Sequence, residues 1–536
     1  MDTRLMDTVI RGAQVADGTG APLEVRDVGI IGDRITDVAA PGELAARRTI
    51  DATGMVLSPG FVDLHSHSDL QLLANPDHLA KVSQGVTTEV LGQDGLSYAP
   101  VDDGVLAALR QQLAGWNDDP AGFDWNWRSV GEYLDRLDLG IAVNAAYLVP
   151  QGTVRMLVVG WEDRPATGDE LARMKELIAT GLEEGAFGMS SGLTYTPGMY
   201  ATTEELVELC RVVGERGGYY SPHHRSYGAG ALEAFAEMVD VSRRSGCPLH
   251  LAHATMNFSV NKGKAPDLLR LLDNALDDGC DITLDTYPYL PGATYLSALL
   301  PSWATEGGLD PTLARLSDPD TRERIRADIE ESGSDGAHGV PIDWDAIEIN
   351  GVRREENSAL VGHSVLASAR SMGKAPAELY FDTLVDERLG TSCLMHVGHE
   401  ENVQAIMRHR THTGGSDGLL VGARPHPRAW GTFPRYLARY VRELGVLELA
   451  DCLAHLTGRA ARRLGLPDRG LIRPGYAADL VVFDPETVAD TATFDHPRQA
   501  AAGISHVFVN GTAALDDGHP TGALAGHSLR HPGSRR

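Results

Sequence analysis

Hydrophobic positions follow one pattern near both ends of the chain and another in the middle. Near the ends, short apolar runs are separated by Gly-Asp and Asn-Gly turns, which is typical of strands and hairpins. These runs are DTVIRGAQVADGTG, DVGIIGDRITDVA and RTIDATGMVLSPG at the start, and GLIRPGYAADLVVFDP and GISHVFVNGTAALDDG at the end. Because chain termini often lie close together, the pattern predicts a small β-sandwich built from both termini, from residues 1–60 and 469–536.

In the middle, apolar strand-like runs alternate with helical patterns, which favours βα units and a parallel sheet. Helical stretches such as TGDELARMKELIATGLEEG open with a Thr at a plausible N-cap. The candidate strands are GMVLSPGFVDL, GVTTEVLGQ, IAVNAAYLV, GAFGMSSGL, GYYSPHH, PLHLAHA, DITLDTYPY and HTGGSDG. We therefore predict an α/β fold whose residues 61–468 form a (β/α)8 barrel.

One stretch interrupts this alternation. From about residue 291 to 352 the chain is rich in Pro, Asp and Gly, which is long for a barrel loop, so we expect an inserted lid segment over the active-site face. The run SCLMHVG, residues 392–398, is a surplus strand candidate that leaves the strand count open.

The composition of the chain limits the classes of partner that it could bind. Among 536 residues, 43% are hydrophobic and the formal net charge is −27, which argues against nucleic acid or an anionic membrane as a partner but says little about the substrate. No apolar run is long enough to span a bilayer, and MDTRLMDTVIRG is too charged for a signal peptide. With five scattered cysteines and no CxxC spacing, we expect a cytoplasmic protein without a disulfide framework. The oligomeric state stays open.

Polar residues recur where the predicted strands end. In FVDLHSHSDL, alternation along a strand would put His65, His67 and Asp69 on one face. His223 and His224 end GYYSPHH, and His253 ends PLHLAHA. Because catalytic residues of such barrels sit at the C-terminal ends of strands, these strand-end histidines should converge with Asp417, and four His with one Asp suit one or two divalent metal ions such as zinc.

Asp417 ends HTGGSDG and is the natural general base. Metal binding lowers the pKa of water towards about 7, and a neighbouring carboxylate can take its proton and pass it to a leaving nitrogen. A Gly-rich phosphate loop with Lys is absent, and GMSSG has the wrong spacing for a nucleophile elbow. The sequence thus favours metal-dependent hydrolysis over phosphoryl transfer or serine catalysis.

The chain resembles, essentially from end to end, the N-acyl-D-amino-acid deacylases, or D-aminoacylases, of the amidohydrolase superfamily. The resemblance is carried by GFVDLHSHSD, GVTTEVLGQDG, EEGAFGMSSGLTYTPGMYATTEEL, DTYPYLPGATYLSALLPSW, GGSDG, HPRAWGTFPRYL and GISHVFVNGTAALDDGHPTGALAGHSLR. It implies a metal-bearing barrel with a small β-sandwich and a lid, and hydrolysis of an N-acyl-D-amino acid to a carboxylate and a free D-amino acid.

The resemblance also implies roles for individual residues. His65 and His67 match the pair that binds one metal position, His223 and His253 match ligands of the main zinc, and His224 is a neighbour of these ligands. Asp417 matches the acid/base. Arg428 and Tyr287 match residues that hold the substrate α-carboxylate, and an Arg fork suits a carboxylate.

Three positions depart from the family pattern. Asp94, in GQDG, replaces the metal-ligating Cys of GNCG; Thr255 replaces a Lys; and Ala293, followed by Thr294, replaces a Ser that helps to bind the carboxylate. Since carboxylate oxygens bind zinc at about 2.0–2.2 Å, we expect Asp94 to ligate the metal. The alternative is a simple Asp-Gly turn. The rival carboxylate, Glu89, should face the opposite side of its strand.

Two other functions compete with deacylation. One is a hydantoinase-like hydrolase of cyclic amides, or a dipeptide hydrolase, which shares the barrel and the HxH motif. Hydantoinases commonly carry a carboxylated Lys on a barrel strand. The five lysines of this chain instead fall in helix or loop patterns: Lys81, Lys175, Lys262, Lys264 and Lys374. The other is a barrel that binds a small molecule without catalysis. Such a protein would lack some of the metal-binding residues, whereas all of the candidate residues are present here.

Overall fold

The computed structural model describes residues 5–534. Its strands are β1 Met6–Val15, β2 Glu24–Ile31, β3 Arg34–Ala39, β4 Ala46–Asp51, β5 Val56–Pro59, β6 Phe61–Asp63, β7 Val86–Leu91, β8 Asn144–Pro150, β9 Gly188–Gly192, β10 Tyr219–His223, β11 Leu249–Leu251, β12 Ile282–Asp285, β13 Gly292–Tyr295, β14 Ile347–Gly351, β15 His363–Ser364, β16 Ser392–Met395, β17 His412–Thr413, β18 Leu480–Phe483, β19 Ile504–Val509, β20 Thr512–Asp516 and β21 His519–Pro520.

The helices are α1 Gln71–Ala74, α2 Leu79–Val82, α3 Asp103–Gln112, α4 Ala114–Asn117, α5 Val130–Leu137, α6 Gln151–Val158, α7 Gly168–Glu183, α8 Thr203–Glu215, α9 Ala231–Ser245, α10 Ala265–Asp277, α11 Ser302–Thr305, α12 Leu309–Ser317, α13 Pro319–Ala327, α14 Val365–Met372, α15 Pro376–Asp386, α16 Glu400–Met407, α17 Arg428–Arg435, α18 Leu449–Ala454 and α19 Ala460–Arg463. Among the described residues, no helix is both long and apolar enough to cross a membrane.

Eight parallel strands form the central sheet, in the order β6-β7-β8-β9-β10-β11-β12-β17. Its two edges meet: Ser66 and Gly418 form a parallel bridge. The Asp417 N–H also donates to the His65 carbonyl across this seam (2.9 Å), and the Leu64 N–H donates to the Gly414 carbonyl (3.2 Å). The predicted (β/α)8 barrel is therefore confirmed, and its closure brings Asp417 beside His65.

The outer helices begin where the sequence indicated. Thr167 caps α7 in a capping box with Glu170, since each side chain bonds the other's backbone N–H. Thr202 caps α8 by accepting from the Glu205 N–H. These caps fix where each helix leaves its loop and packs against the barrel.

Strands from both ends of the chain share one nine-stranded sheet, in the order β21-β20-β19-β18-β5-β1-β2-β3 with β4 beside β1. The junction is the antiparallel pair of β18 and β5, in which Val482 lies opposite Leu57. The predicted β domain built from both termini is present. The division at residues 60/61 and 468/469 stays a prediction.

The inserted segment lies between β12 and β17. It carries its own four-stranded sheet, β13-β16-β14-β15, and its own apolar cluster around Trp344, Tyr380 and Phe381. The surplus strand candidate at 392–398 is β16 of this sheet, so the inserted unit continues well beyond residue 352, where we expected it to end. The cause is long-range pairing, since Ser392 lies opposite both Tyr295 and Gly351.

Candidate metal centre

The HxH segment follows β6 directly. Because β6 ends at Asp63, residues 64–70 are not a strand, and the alternation that we expected for His65, His67 and Asp69 does not apply. His65 and His67 turn towards each other, with ring centroids 5.2 Å apart. Asp69 is used elsewhere: it accepts hydrogen bonds from the Gly92 N–H (2.8 Å) and Ser97 Oγ (2.5 Å). It therefore holds the loop that carries Asp94.

The first ligand group joins His65, His67, Asp94 and Asp417, whose donor atoms all lie within 4.8 Å of one another. His67 Nε2 lies 3.2 Å from Asp417 Oδ1 and 3.5 Å from Asp94 Oδ2. His65 Nε2 lies 3.5 Å from Asp94 Oδ1 and 3.7 Å from Asp417 Oδ1. All four residues are buried.

The second ligand group joins Asp94, His223 and His253. Asp94 Oδ2 lies 3.3 Å from His223 Nδ1, and Asp94 Oδ1 lies 3.4 Å from His253 Nε2. Asp94 thus belongs to both groups, one carboxylate between four imidazoles. Asp94, His253 and Asp417 have φ values of 54°, 33° and 49°, the left-handed region that non-glycine residues rarely adopt and that is over-represented at functional sites.

The cluster is highly polarised. Burial raises the pKa of Asp94, but His253, His223 and His65 outweigh it and hold that pKa well below its usual value. Burial lowers the pKa of His67, but hydrogen bonds with Asp417 and Asp94 prevail and raise it to about 10. The site therefore favours negative carboxylates and an added positive charge between them.

The donor set fits a divalent transition metal. Both ring nitrogens of His65 and Oδ1 of Asp94 are buried without a hydrogen-bond partner in the described structure. Unpartnered buried polar atoms are costly, and imidazole nitrogen with carboxylate oxygen is the ligand set that zinc and similar ions accept. Two overlapping groups that share Asp94 suit one or two ions.

Outer contacts orient these ligands, and sequence reasoning missed them. Asp285, at the end of β12, accepts from the His253 N–H (2.9 Å) and bonds His250 Nε2 (3.0 Å), while its Oδ2 lies 3.8 Å from His65 Nδ1. Thr194 Oγ1 bonds His223 Nε2 (2.7 Å), and Tyr227 OH bonds His253 Nδ1 (3.0 Å). Such contacts fix the orientation of a ligand ring. The signal available was the polar strand end in DITLDTYPY.

A second buried charge cluster lies behind Asp417. Lys81 Nζ donates to Asp63 Oδ2 (2.5 Å) and to Ser416 Oγ (2.8 Å), and the Ser416 N–H donates to Asp63 Oδ1 (2.8 Å). Glu89 joins this side: its Oε1 lies 2.8 Å from His78 Nε2. As expected, Glu89 does not belong to either ligand group. We call Lys81, Asp63 and Ser416 the rear cluster.

Arg428 lies against Asp417, with Nη2 2.9 Å from Oδ2. Its guanidinium carbon is 4.4 Å from the centre of the Tyr287 ring, and Nη2 also donates to the Ala293 carbonyl (3.4 Å). Its Nε and Nη1 are buried without a partner in the described structure. Thr294 Oγ1 bonds Tyr195 OH (3.0 Å). These residues form one wall beside Asp417.

His224 lies outside both ligand groups. Its ring packs against Phe235 and Tyr227, with centroids 3.9 Å and 4.1 Å away. Burial holds the pKa of His224 well below its usual value, so the ring is neutral.

A cavity opens over the ligand groups. Asp94, Asp417 and both groups' histidines other than His65 line its floor. Tyr287, Thr294 and Thr255 line its wall, with apolar residues of the inserted segment above them.

Comparison with known proteins agrees with this architecture. Residues 48–514 match the amidohydrolase family. The D-aminoacylase of Alcaligenes xylosoxydans xylosoxydans is 35% identical over 529 residues, covering 98% of each chain. A solved D-aminoacylase structure matches this chain with a TM-score of 0.82 at 35% identity, covering 98% of this chain and 100% of that one. That enzyme has a binuclear metal centre, in which one metal activates and the second attenuates.

A second solved structure is the N-acyl-D-glutamate deacylase of Bordetella bronchiseptica, in complex with zinc and a phosphonate that mimics the tetrahedral intermediate. It has a TM-score of 0.84 at 31% identity and covers 98% of this chain and 100% of that one. The full-length matches in sequence and fold show that this chain belongs to the amidohydrolase family and, within it, to the N-acyl-D-amino-acid deacylases.

Proposed function

We propose that this protein hydrolyses the amide bond of N-acyl-D-amino acids, with one or two divalent metal ions held by His65, His67, Asp94, His223 and His253. The observation that carries the proposal is the pair of ligand groups joined by Asp94 at the barrel mouth, with Asp417 and Arg428 beside them. When bound, the metal lowers the pKa of water and polarises the scissile carbonyl.

Asp417 is the proposed proton shuttle. Burial raises its pKa, but Arg428 and His67 outweigh that effect and hold it below its usual range, so Asp417 is a carboxylate at neutral pH. An ionised Asp417 can take a proton from the attacking water and deliver it to the leaving nitrogen. Closure of the barrel through the His65 carbonyl keeps this carboxylate beside the cluster.

Arg428 and Tyr287 are the proposed anchors for the substrate α-carboxylate, with Thr294 close by. The free Nε and Nη1 of Arg428 supply donors that lack an acceptor in the described structure. The family resemblance implies a Lys and a Ser where this chain has Thr255 and Ala293, so Arg428 would carry a larger share of the binding. A planar guanidinium suits this role because it can make two parallel bonds to a carboxylate.

A hydantoinase-type site finds less support. Such a site commonly uses a carboxylated Lys on a barrel strand, whereas the buried Lys81 lies in the short helix α2. Its ammonium is engaged by Asp63 and Ser416. Asp94 already supplies the negative group that two ions would share.

We propose zinc as the first metal to test and the cytoplasm as the location. Imidazole and carboxylate ligands suit zinc, and exchanging a thiolate for Asp94 also admits harder ions such as manganese. All five cysteines are free in the described chain, as a reducing compartment would keep them.

The test pairs metal analysis of the purified protein with a screen of matched N-acetyl-D- and N-acetyl-L-amino acids. We expect one to two divalent ions per chain and hydrolysis of the D-series alone. Equal rates on both series, or hydrolysis of amides without a free carboxylate, would overturn the proposal. Ring opening of a cyclic amide in the same screen would favour the hydantoinase-like alternative.

A further inference from the structure

A second, larger cavity adjoins the catalytic one. Its volume is about 230 Å³, against about 70 Å³ for the catalytic cavity. Thr194 and Ala298 line both cavities, and Thr194 is the residue whose Oγ1 bonds His223 Nε2 at 2.7 Å. The second cavity therefore begins within one side chain of the proposed metal ligands. We call it the side chamber.

The side chamber is built from three separate parts of the chain. Helix α3 supplies Ala108, the loop after α6 supplies Trp161, and the inserted segment supplies Leu300, Leu309 and Pro311. A further wall is formed by Met199, Tyr295 and Leu389. Apolar side chains therefore form much of the lining, beside polar ones such as Gln112 and Thr312.

Three polar side chains of the side-chamber wall are engaged by the protein itself, whereas Gln112 Oε1 is buried without a hydrogen-bond partner in the described structure. Gln112 Nε2 donates to the Thr196 carbonyl (2.9 Å), Thr312 Oγ1 to the Gly308 carbonyl (2.7 Å), and Thr305 Oγ1 to the Ser302 carbonyl (2.9 Å). The groups that remain exposed to an occupant are mainly apolar. Such a surface gains free energy by covering methylene groups.

Charge excludes a peptide-like occupant. The ammonium of an N-terminal amino acid would need a buried carboxylate, and among the described residues the one acidic side chain of the side chamber is Asp310. Asp310 is 86% exposed and pairs with Arg388 at 3.3 Å. This ion pair lies at the solvent end of the side chamber, so the interior offers no counter-charge to an ammonium.

We propose that the side chamber takes the acyl chain of the substrate, and that the protein acts on N-acyl-D-amino acids with linear medium-length acyl groups. This rests on the proposed function, because the scissile carbonyl must lie over the ligand groups for its chain to pass between Thr194 and Ala298. Each methylene that leaves water for the side chamber strengthens binding several-fold.

The test compares N-acetyl-, N-butanoyl- and N-octanoyl-D-leucine. We expect kcat/KM to rise at least tenfold from acetyl to octanoyl. Ala108→Phe fills the side chamber from α3 and should abolish this gain while leaving N-acetyl-D-leucine hydrolysis within twofold. Ala107→Phe is the matched control, since Ala107 is the exposed neighbour on the same helix, and it should keep the gain.

A second variant protects the test against misfolding of Ala108→Phe. Leu309→Asp places a charge in the wall without added bulk and should reduce octanoyl preference at least fivefold. Flat or falling kcat/KM with chain length in the wild type, or equal losses on acetyl and octanoyl substrates in both variants, would overturn the proposal.

Binding of the carboxylate product tests the side chamber independently of hydrolysis. It therefore distinguishes a failure of this proposal from a failure of the proposed function. We expect octanoate to bind the wild-type protein at least tenfold more tightly than acetate in calorimetry, and Ala108→Phe to remove the difference. If no N-acyl-D-amino acid is hydrolysed but this difference holds, the deacylase assignment fails and the side chamber stands. If acetate and octanoate bind alike, the side-chamber proposal fails.

Discussion

Two buried charge clusters differ in how fully their polar atoms are hydrogen-bonded. One is the rear cluster, and the other, which we call the front cluster, consists of the two ligand groups: His65, His67, Asp94, His223, His253 and Asp417. In the rear cluster, Lys81, Asp63 and Ser416 bond one another at 2.5–2.8 Å. In the front cluster, Asp94 sits among four histidines at 3.3–3.5 Å, and atoms of His65 and Asp94 have no hydrogen-bond partner in the described structure. One cluster is satisfied by the protein alone, and the other lacks a partner.

This difference indicates a structural role for the rear cluster and a chemical role for the front cluster. A buried ion pair whose members are fully bonded holds a geometry and resists change. A buried group of ligands with unsatisfied atoms is stable only with a further partner, and a cation meets that need. The two clusters are coupled, because Ser416 of the rear cluster immediately precedes Asp417 of the front one. The rear cluster thus positions the proposed proton shuttle.

Asp417→Asn should have the largest effect on the front cluster. The amide cannot accept a proton, so turnover should fall by about 10²–10⁴-fold, the usual contribution of general acid–base catalysis. Metal content should stay close to wild type, which elemental analysis would check, whereas some thermal stability should be lost because Asn leaves the buried Arg428 without its charge partner. An Asn variant with near-normal turnover would remove Asp417 from this role.

Lys81→Met should break the rear cluster. Removing one member of a buried pair leaves Asp63 uncompensated, so the free energy of unfolding should fall by about 3–5 kcal/mol, measured by urea denaturation. The control is Lys175→Met: Lys175 bonds Glu208 at 2.9 Å, but both side chains are about one third exposed. That exposed pair should cost less than about 1 kcal/mol. Similar losses in both variants would contradict the rear cluster's structural role.

Arg428→Lys should have a smaller effect, mainly on substrate binding. A point charge cannot reproduce the guanidinium fork, so KM should rise about tenfold, the value of roughly one charged hydrogen bond, with kcat less affected. Arg435→Lys is the matched control on the same helix, because Arg435 also stacks on a tyrosine, Tyr289, at 4.6 Å, but it pairs with Asp490 and not with Asp417. An unchanged KM in Arg428→Lys would exclude it as the anchor.

Sequence reasoning reached the front cluster more fully than the rear one. His65, His223, His253 and Asp417 each end a strand pattern, so local spacing and the barrel rule were enough to bring them together. The rear cluster depends on contacts that local patterns do not contain: Lys81 and Ser416 are 335 residues apart. Its members look like ordinary surface residues until the barrel closes.

The same reason explains the longer inserted unit. Its inner strand, Ser392–Met395, is recognisable as a strand in the sequence, but its partners are not. It pairs with β13 and β14 of the insertion instead of the barrel. Which strands pair within the insertion depends on tertiary contacts, because each strand pairs where its apolar face is covered. The side chamber, built from α3, the α6 loop and the insertion, was inaccessible to pattern analysis for the same reason.

The central claim is that Asp94 joins the two ligand groups by binding metal in place of the family's cysteine. The most direct measurement is a crystal structure of the zinc-loaded protein, with the ions located by anomalous scattering. We predict at least one ion about 2.0–2.2 Å from an Asp94 oxygen and bound to His223 and His253. Asp94 oxygens more than about 3.5 Å from every ion, beyond any bond length for zinc, would contradict the account.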